Sequence, residues 1–308
     1  MLEPIIDISR WQASNVLYPP VIPFNWDLAS RRVYAAFIQC TNGLTLDHQF
    51  SYNWITSKNK VARDAYHFFR VSRSLTYPKD QARTFYNYQI TCGGLGDMIP
   101  WLDVETYDET VTAAEFQNRV LIFLDEFAQL SGKMGIIYTR KGFWDQYVCR
   151  PNTSPSRISE MCRLAVANYG ASYPVIPWDW EVRYGTDGFE YWQYSADGNG
   201  LGRYYGSTGD DDIDLNKFNG TLDEFNLRYN LNVQPLTDPG KDFVICITSA
   251  LKIRETPSTL AKVVGYLYLN DMPNALEEKI DSNNIWIRIG WKQWSAMKYG
   301  SNIYLEYI

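Results

Sequence analysis

Met98-Ile99-Pro100-Trp101-Leu102-Asp103-Val104-Glu105 is a short apolar run that ends in two carboxylates. Its composition suits a buried strand. Because a strand sends alternate side chains to one face, Asp103 and Glu105 leave the same side with Cα atoms roughly 6–7 Å apart. Runs of the same kind recur at residues 4–8, 33–40, 62–69, 134–139, 163–168 and 189–194, separated by helical stretches. Alternating strands and helices predict a mainly parallel α/β sheet, and seven or eight strands within about 220 residues predict closure into a barrel.

Between residues 112 and 131, Thr112 and Glu115 form a capping box, Phe116, Val120, Phe123, Leu124 and Phe127 make one apolar stripe, and Gly132 stops the helix. Further helices are expected over 47–58 and 79–90. Residues 150–160 and 170–186, rich in Pro, Ser, Gly and aromatics, read as long loops over one face. Val233-Gln234-Pro235-Leu236-Thr237-Asp238-Pro239-Gly240 interrupts helix and strand alike and reads as a linker. After it, short strands at 243–248, 251–254, 263–269, 285–289 and 303–308 carry no helical period, as expected of a small all-β barrel. The expected organisation is a barrel domain over 1–231, a linker over 232–241 and a β domain over 242–308.

The 308 residues exceed the usual single-domain size, which agrees with that division. Aromatics reach 16%, with 11 Trp and 23 Tyr, an excess of flat rings that stack on sugar faces or fill core. A formal charge of −6 argues against nucleic acid, which requires a basic face. The N-terminal Met1-Leu2-Glu3-Pro4 lacks a basic region and an apolar run, so no secretory signal and no membrane span are expected, and the protein as written stays in the cytoplasm that makes it. Five widely spaced cysteines read as free thiols. His48 and His67 are the only histidines and no two cysteines lie close together, so neither a metal nor a cofactor is expected.

Two carboxyls in one pocket disfavour double ionisation, so one holds its proton near neutral pH and can act as a general acid. An isolated Asp-x-Glu is too common to carry that conclusion, but two further acids join it. Asp7 closes the apolar run Pro4-Ile5-Ile6-Asp7, where burial is costly without a partner or a function, and Asp214 stands between Ile213 and Leu215. A calcium loop starting at Asp210 fails, because Leu215 replaces the loop glycine and Thr221 the twelfth-position Glu. Asp210 to Asp212 read as a solvated loop. His67 has no companion ligand or nucleophile and reads as a hydrogen-bonded structural residue, and no phosphate-cradling glycine loop is present.

Eight segments then fall in a recognisable order: Ile6-Asp7-Ile8-Ser9 with Trp11-Gln12; Phe37-Ile38-Gln39-Cys40-Thr41-Asn42-Gly43 followed by Asp47; Ala65-Tyr66-His67-Phe68; Leu102-Asp103-Val104-Glu105; Ile137-Tyr138-Thr139; Leu164-Ala165-Val166-Ala167-Asn168-Tyr169; Trp192-Gln193-Tyr194-Ser195; and Ile213-Asp214-Leu215-Asn216-Lys217-Phe218. From about residue 5 to 220 the chain resembles the glycoside hydrolase family 25 muramidases, the Chalaropsis-type lysozymes. The resemblance implies an irregular (β/α) TIM-like barrel that hydrolyses the β-1,4 bond from N-acetylmuramic acid to N-acetylglucosamine in peptidoglycan glycan strands, with retention. Glu105 would be the proton donor, and Asp103 either the stabiliser of an oxazolinium formed by the substrate's N-acetyl group or the nucleophile. Asp7 and Asp214 would orient substrate and raise the Glu105 pKa, and Tyr66, Phe68, Tyr138, Tyr169 and Trp192 would contact sugar.

Asn168 departs from the family pattern, which often has His there, and Pro177-Trp178-Asp179-Trp180-Glu181-Val182-Arg183-Tyr184 is unusually aromatic for a loop that bears on glycan length. The tail segments Leu251-Lys252-Ile253-Arg254-Glu255-Thr256-Pro257-Ser258 and Trp286-Ile287-Arg288-Ile289-Gly290 resemble bacterial SH3-like domains, which implies a hold on wall peptide or glycan. A muramidase without a signal suits a phage or prophage endolysin that reaches the wall through a holin lesion or on a virion, with a spore or autolytic enzyme second. The competing readings are a non-catalytic peptidoglycan-binding protein on the same fold and a glycosidase of another N-acetylhexosamine bond.

Overall fold

The computed structural model describes residues 1–14, 21–209, 212–236, 243–281 and 283–308. Asp210, Asp211 and linker residues 237–241 lie outside the described residues. The chain divides into two compact units, Met1–Leu236 and Thr237–Ile308.

In the first unit the strands are β1 (Leu2–Ile8), β2 (Ala35–Asn42), β3 (Thr45–Leu46), β4 (Ala62–Phe68), β5 (Trp101–Asp103), β6 (Ile136–Thr139), β7 (Leu164–Ala167), β8 (Tyr191–Ser195) and β9 (Asp214–Phe218). The ring runs β1, β2, β4 through β9 and back to β1, an eight-stranded closed barrel among the described residues, with β3 a hairpin extension of β2. All the strands from β1 round to β8 pair in parallel. By contrast, β9 is antiparallel to both β8 and β1. The barrel is therefore irregular at its last strand. The helices are α1 (Trp26–Ala29), α2 (Phe50–Ser57), α3 (Tyr77–Thr91), α4 (Ala113–Ser131), α5 (Lys141–Tyr147), α6 (Arg157–Met161), α7 (Trp178–Tyr184) and α8 (Leu222–Tyr229).

Strand alternation separates two cores. Outward residues such as Ile38, Leu102, Ile137 and Val166 pack on the helices, and inward residues Phe37, Trp101, Tyr138, Tyr191 and Phe218 fill the lumen. In the lumen Phe37 stacks on Trp101 at 3.8 Å and Trp101 on Tyr138 at 5.5 Å between ring centroids. Phe225 of α8 packs edge-on against Phe218 from below, closing that end. The α4 helix forms as its sequence requires. Thr112 and Glu115 make the reciprocal cap, and Gly132 takes the left-handed conformation (φ 72°) that ends it. Its buried stripe carries Phe123, whose ring stacks on His67 at 4.8 Å and meets Phe69 at 5.8 Å.

Three expectations change. Residues 150–160 and 170–186 are not merely loops, since they contain α6 and α7. Their Ser and Pro turn out to be helix starts: Ser156 Oγ accepts from Ser159 N–H, and Pro177 precedes α7. Within the aromatic segment Trp180 is fully buried against Trp144 at 4.8 Å, so that ring is core and not a sugar surface. Strand β9 was absent from the apolar runs because its inward positions Asp214 and Asn216 are polar.

The second unit is all β. A two-stranded sheet joins β10 (Val244–Cys246) and β17 (Leu305–Tyr307), and a larger sheet holds β11 (Ala250–Arg254), β12 (Val263–Tyr268), β13 (Glu277–Asp281), β14 (Asn284–Gly290), β15 (Gln293–Tyr299) and β16 (Asn302–Ile303). Val244, Cys246, Leu251, Leu267, Ile287, Met297 and Leu305 form its core. The sequence pattern misses β13, a charged edge strand with every residue exposed, and β15.

Truncating Phe123 to Ala empties the space between α4 and the barrel wall. Phe123→Ala is expected to cost about 3–5 kcal/mol of stability in urea denaturation; an unchanged midpoint would contradict this packing.

Candidate active site

The carboxyls stand directly on the aromatic floor of the lumen. In register, Asp7 of β1 lies beside Asp214 of β9, Phe68 of β4 beside Asp103 of β5, and Asp103 beside Tyr138 of β6. Asp7 and Asp103 are each 6% exposed, which places two acids where neither is solvated by bulk water. Strand β5 ends at Asp103, so Glu105 is not on the strand as expected. It follows the strand's C-terminal end, half-buried, and lines the same cleft. That cleft, about 590 Å³, also takes in Tyr66, Phe68, Tyr138, Tyr169 and Asp214.

Asp7 is the best supported of the four. Its Oδ2 accepts from Gln193 Nε2 and from Asn216 Nδ2, both at 2.8 Å. Burial still raises its pKa against those two bonds. Asp214, hydrogen-bonded to it, is pushed up to about 10 by burial and by the Asp7 charge. The pair therefore holds one proton, carried by Asp214 and donated to Asp7. Asp103 is raised well above the ordinary carboxylate value by burial and then by the charges of Glu105 and Asp7. Its Oδ1 has no hydrogen-bond partner among the described residues. Glu105 is raised by burial, opposed by the Arg140 guanidinium, and raised again by Asp7.

Gln193 organises the tyrosines as well. Its Oε1 accepts from Tyr138 Oη at 2.8 Å and from Tyr169 Oη, so one buried amide joins Asp7 to two rings of the cleft. Burial and the nearby acids keep both Tyr66 and Tyr138 phenols protonated. At the rim, Arg70 lies over the Phe68 ring at 4.5 Å and Arg10 over Trp11 at 4.6 Å. Asp47 anchors that rim, accepting from Arg10 N–H at 3.1 Å and Gln49 N–H at 2.8 Å.

Trp192 is not with the acids. It points outward from β8 between Tyr191 and Gln193, 3% exposed, and its Nε1 donates to the Asn168 carbonyl at 2.8 Å. Asn168 itself folds the following loop, its Oδ1 accepting from Val175 N–H at 3.0 Å. His67 is neutral, its pKa lowered to about 3 by burial, and is held by Thr41 at 2.6 Å and Gln81 at 3.1 Å. The sequence reading did not single out Gln193, Asn216, Arg70 or Arg140. Strand parity was the available signal for Gln193: with Tyr191 inward, Gln193 follows it and Trp192 cannot.

Because the folded state holds the Asp214 proton up to about pH 10 and the unfolded chain releases it near its ordinary value of about 4, this group's contribution to stability is complete below about pH 4 and is lost as pH rises toward 10. Asp214→Asn supplies an N–H donor to Asp7 without that titration. Its thermal midpoint is expected to fall less than that of the wild type between about pH 5 and pH 9. Parallel curves for the two proteins would contradict the shared proton.

No curated protein sequence matches the chain. Among solved structures, the bacterial lysozyme from Streptomyces coelicolor is 26% identical with a TM-score of 0.56, over 74% of this chain and 96% of that one. The Clostridium perfringens spore cortex lytic enzyme SleM is 17% identical with a TM-score of 0.57, over 94% of each chain. The CTP1L endolysin is 20% identical with a TM-score of 0.55, over 74% of this chain and 70% of that one. The last two likenesses are of fold. The model of the glycosyl hydrolases family 25 matches residues 6–203, a span that contains Asp7, Asp103 and Glu105. That match takes in more than half of the chain, which therefore belongs to the glycosyl hydrolases family 25 and is a glycoside hydrolase.

Proposed function

We propose that the chain is a peptidoglycan hydrolase that cleaves the β-1,4 bond from N-acetylmuramic acid to N-acetylglucosamine with retention. The observation that carries this reading is the half-buried Glu105, its proton affinity raised, in one cleft with a deeper Asp103 whose Oδ1 lacks a partner. Asp103, more deeply buried, is raised well above the ordinary carboxylate value, and Glu105 is raised as well. Substrate sets the two apart. A sugar over Glu105 removes it from water and favours its protonated form, while an acetamido N–H donated to Asp103 Oδ1 favours ionised Asp103. Glu105 then gives its proton to the leaving oxygen as the acetamido carbonyl oxygen bonds to the anomeric carbon, forming an oxazolinium ion. In the second step the Glu105 carboxylate takes a proton from water, whose oxygen adds to that carbon and reopens the ring. Two inversions leave the configuration retained. Direct attack by Asp103 is the other route to retention, and the same unpartnered oxygen serves it.

Asp7 and Asp214 in this reading form a neutral-plus-anion pair that positions the glycone and adds to the shift of Glu105 through the Asp7 charge. The all-β unit is assigned as an SH3-like domain that holds the enzyme on wall peptide or glycan, on the strength of its resemblance at residues 251–258 and 286–290. A phage or prophage endolysin, delivered through a holin lesion or on a virion, is the proposed setting.

Glu105→Gln is expected to lower the release of reducing ends from peptidoglycan by about 10²–10⁴-fold while folding and wall binding persist. Mass spectrometry of the wild-type digest should find N-acetylmuramic acid at the new reducing ends. N-acetylglucosamine there, binding without new reducing ends, or full activity in the variant would each overturn the assignment.

A further inference from the structure

A second cleft opens on the other side of Tyr169. It has about 630 Å³ and runs from the barrel mouth, between the segments that follow β7 and β8, down the outer wall. Its existence follows from the irregular closure of the barrel. The chain passes from β8 to the antiparallel β9 without an intervening α-helix among the described residues, so no crossover helix covers this part of the wall as helices cover β4 to β6. Tyr194 stands half-buried in it, Trp192 lies 3% exposed beneath, and the Lys217 ammonium of β9, paired with Glu3 at 2.9 Å, covers both rings, 5.6 Å from the Trp192 centroid and 4.5 Å from that of Tyr194. Ser172 and Asp197, both exposed, add a hydroxyl and a carboxylate at the mouth.

Tyr169 belongs to both clefts. It is 47% exposed, and its hydroxyl is fixed on Gln193, so the wall between the two clefts is one anchored aromatic ring. The Tyr169 and Tyr194 rings, with the polar groups at the mouth, match a pyranose, whose C–H face stacks on aromatics while its hydroxyls bond at the edge. We propose that this second cleft is a further binding site for the glycan strand, holding an N-acetylhexosamine ring distal to the bond being cut. The inference rests on the peptidoglycan-hydrolase reading.

The test blocks the mouth of the cleft without touching the acids. Ser172 is exposed, so Ser172→Trp fills the entrance, and Leu227→Trp, 84% exposed on α8, controls for an added indole. Full-length proteins are assayed on long glycan strands freed of stem peptides, on a tetrasaccharide of the same repeat, and on intact peptidoglycan. Ser172→Trp is expected to lower kcat/KM on the long strands by roughly tenfold, the loss of about one stacked ring, and to leave the tetrasaccharide unchanged. Leu227→Trp should match the wild type on all three. Unchanged cleavage of long strands, or an equal fall on the tetrasaccharide, would overturn the inference while leaving the hydrolase reading intact. A loss confined to peptide-bearing material would overturn it in favour of a stem-peptide site. Wild-type protein that cuts none of the three would overturn the reading beneath it as well.

Discussion

The structure depends on an electrostatic conflict: four carboxyls gathered at one barrel mouth over a floor of Phe37, Trp101, Tyr138 and Tyr191. The aromatic layer excludes water from below, so ionisation of all four is opposed by burial and by their mutual repulsion. Two amides resolve part of the conflict. Gln193 and Asn216 stabilise the Asp7 anion, and Asp214 keeps a proton as its donor to Asp7. What remains unresolved is Asp103, and that remainder is what substrate can satisfy.

The antiparallel β9 strand has two consequences from one cause. Inside the barrel it places Asp214 opposite Asp7 and Asn216 opposite Gln193, which assembles the proton-sharing pair. Outside, with no crossover helix between β8 and β9 among the described residues, the half-buried Tyr194 stands beside an open cleft. A fully parallel barrel would have required a helix there.

Much of this was legible in the sequence. Apolar runs broken by helical stretches identified the parallel strands, and the α4 cap could be read residue by residue from Thr112 to Gly132. Asp7 and Asp214 stood out because acids framed by apolar residues are costly, and Asp103 and Glu105 because their spacing suits one face of a strand. The parts missed share one physical reason, that local pattern does not reveal what a segment packs against. Strand β9 escaped because its lumen positions are polar, and α6 and α7 escaped because their caps are made of the Ser and Pro that elsewhere mark loops. Trp192 was assigned to the wrong face because an aromatic residue suits both. Glu105 was placed on a strand that stops at Asp103, yet it reaches the cleft from the turn beyond.

The barrel mouth retains a proton between Asp7 and Asp214 across neutral pH. Titration of the side-chain carboxyl carbons by NMR, assigned with single Asn variants, measures it directly. Asp214 is expected to stay protonated from about pH 5 to 8 and to titrate near about 10. Titration of Asp214 near the ordinary aspartate value of about 4 would contradict it.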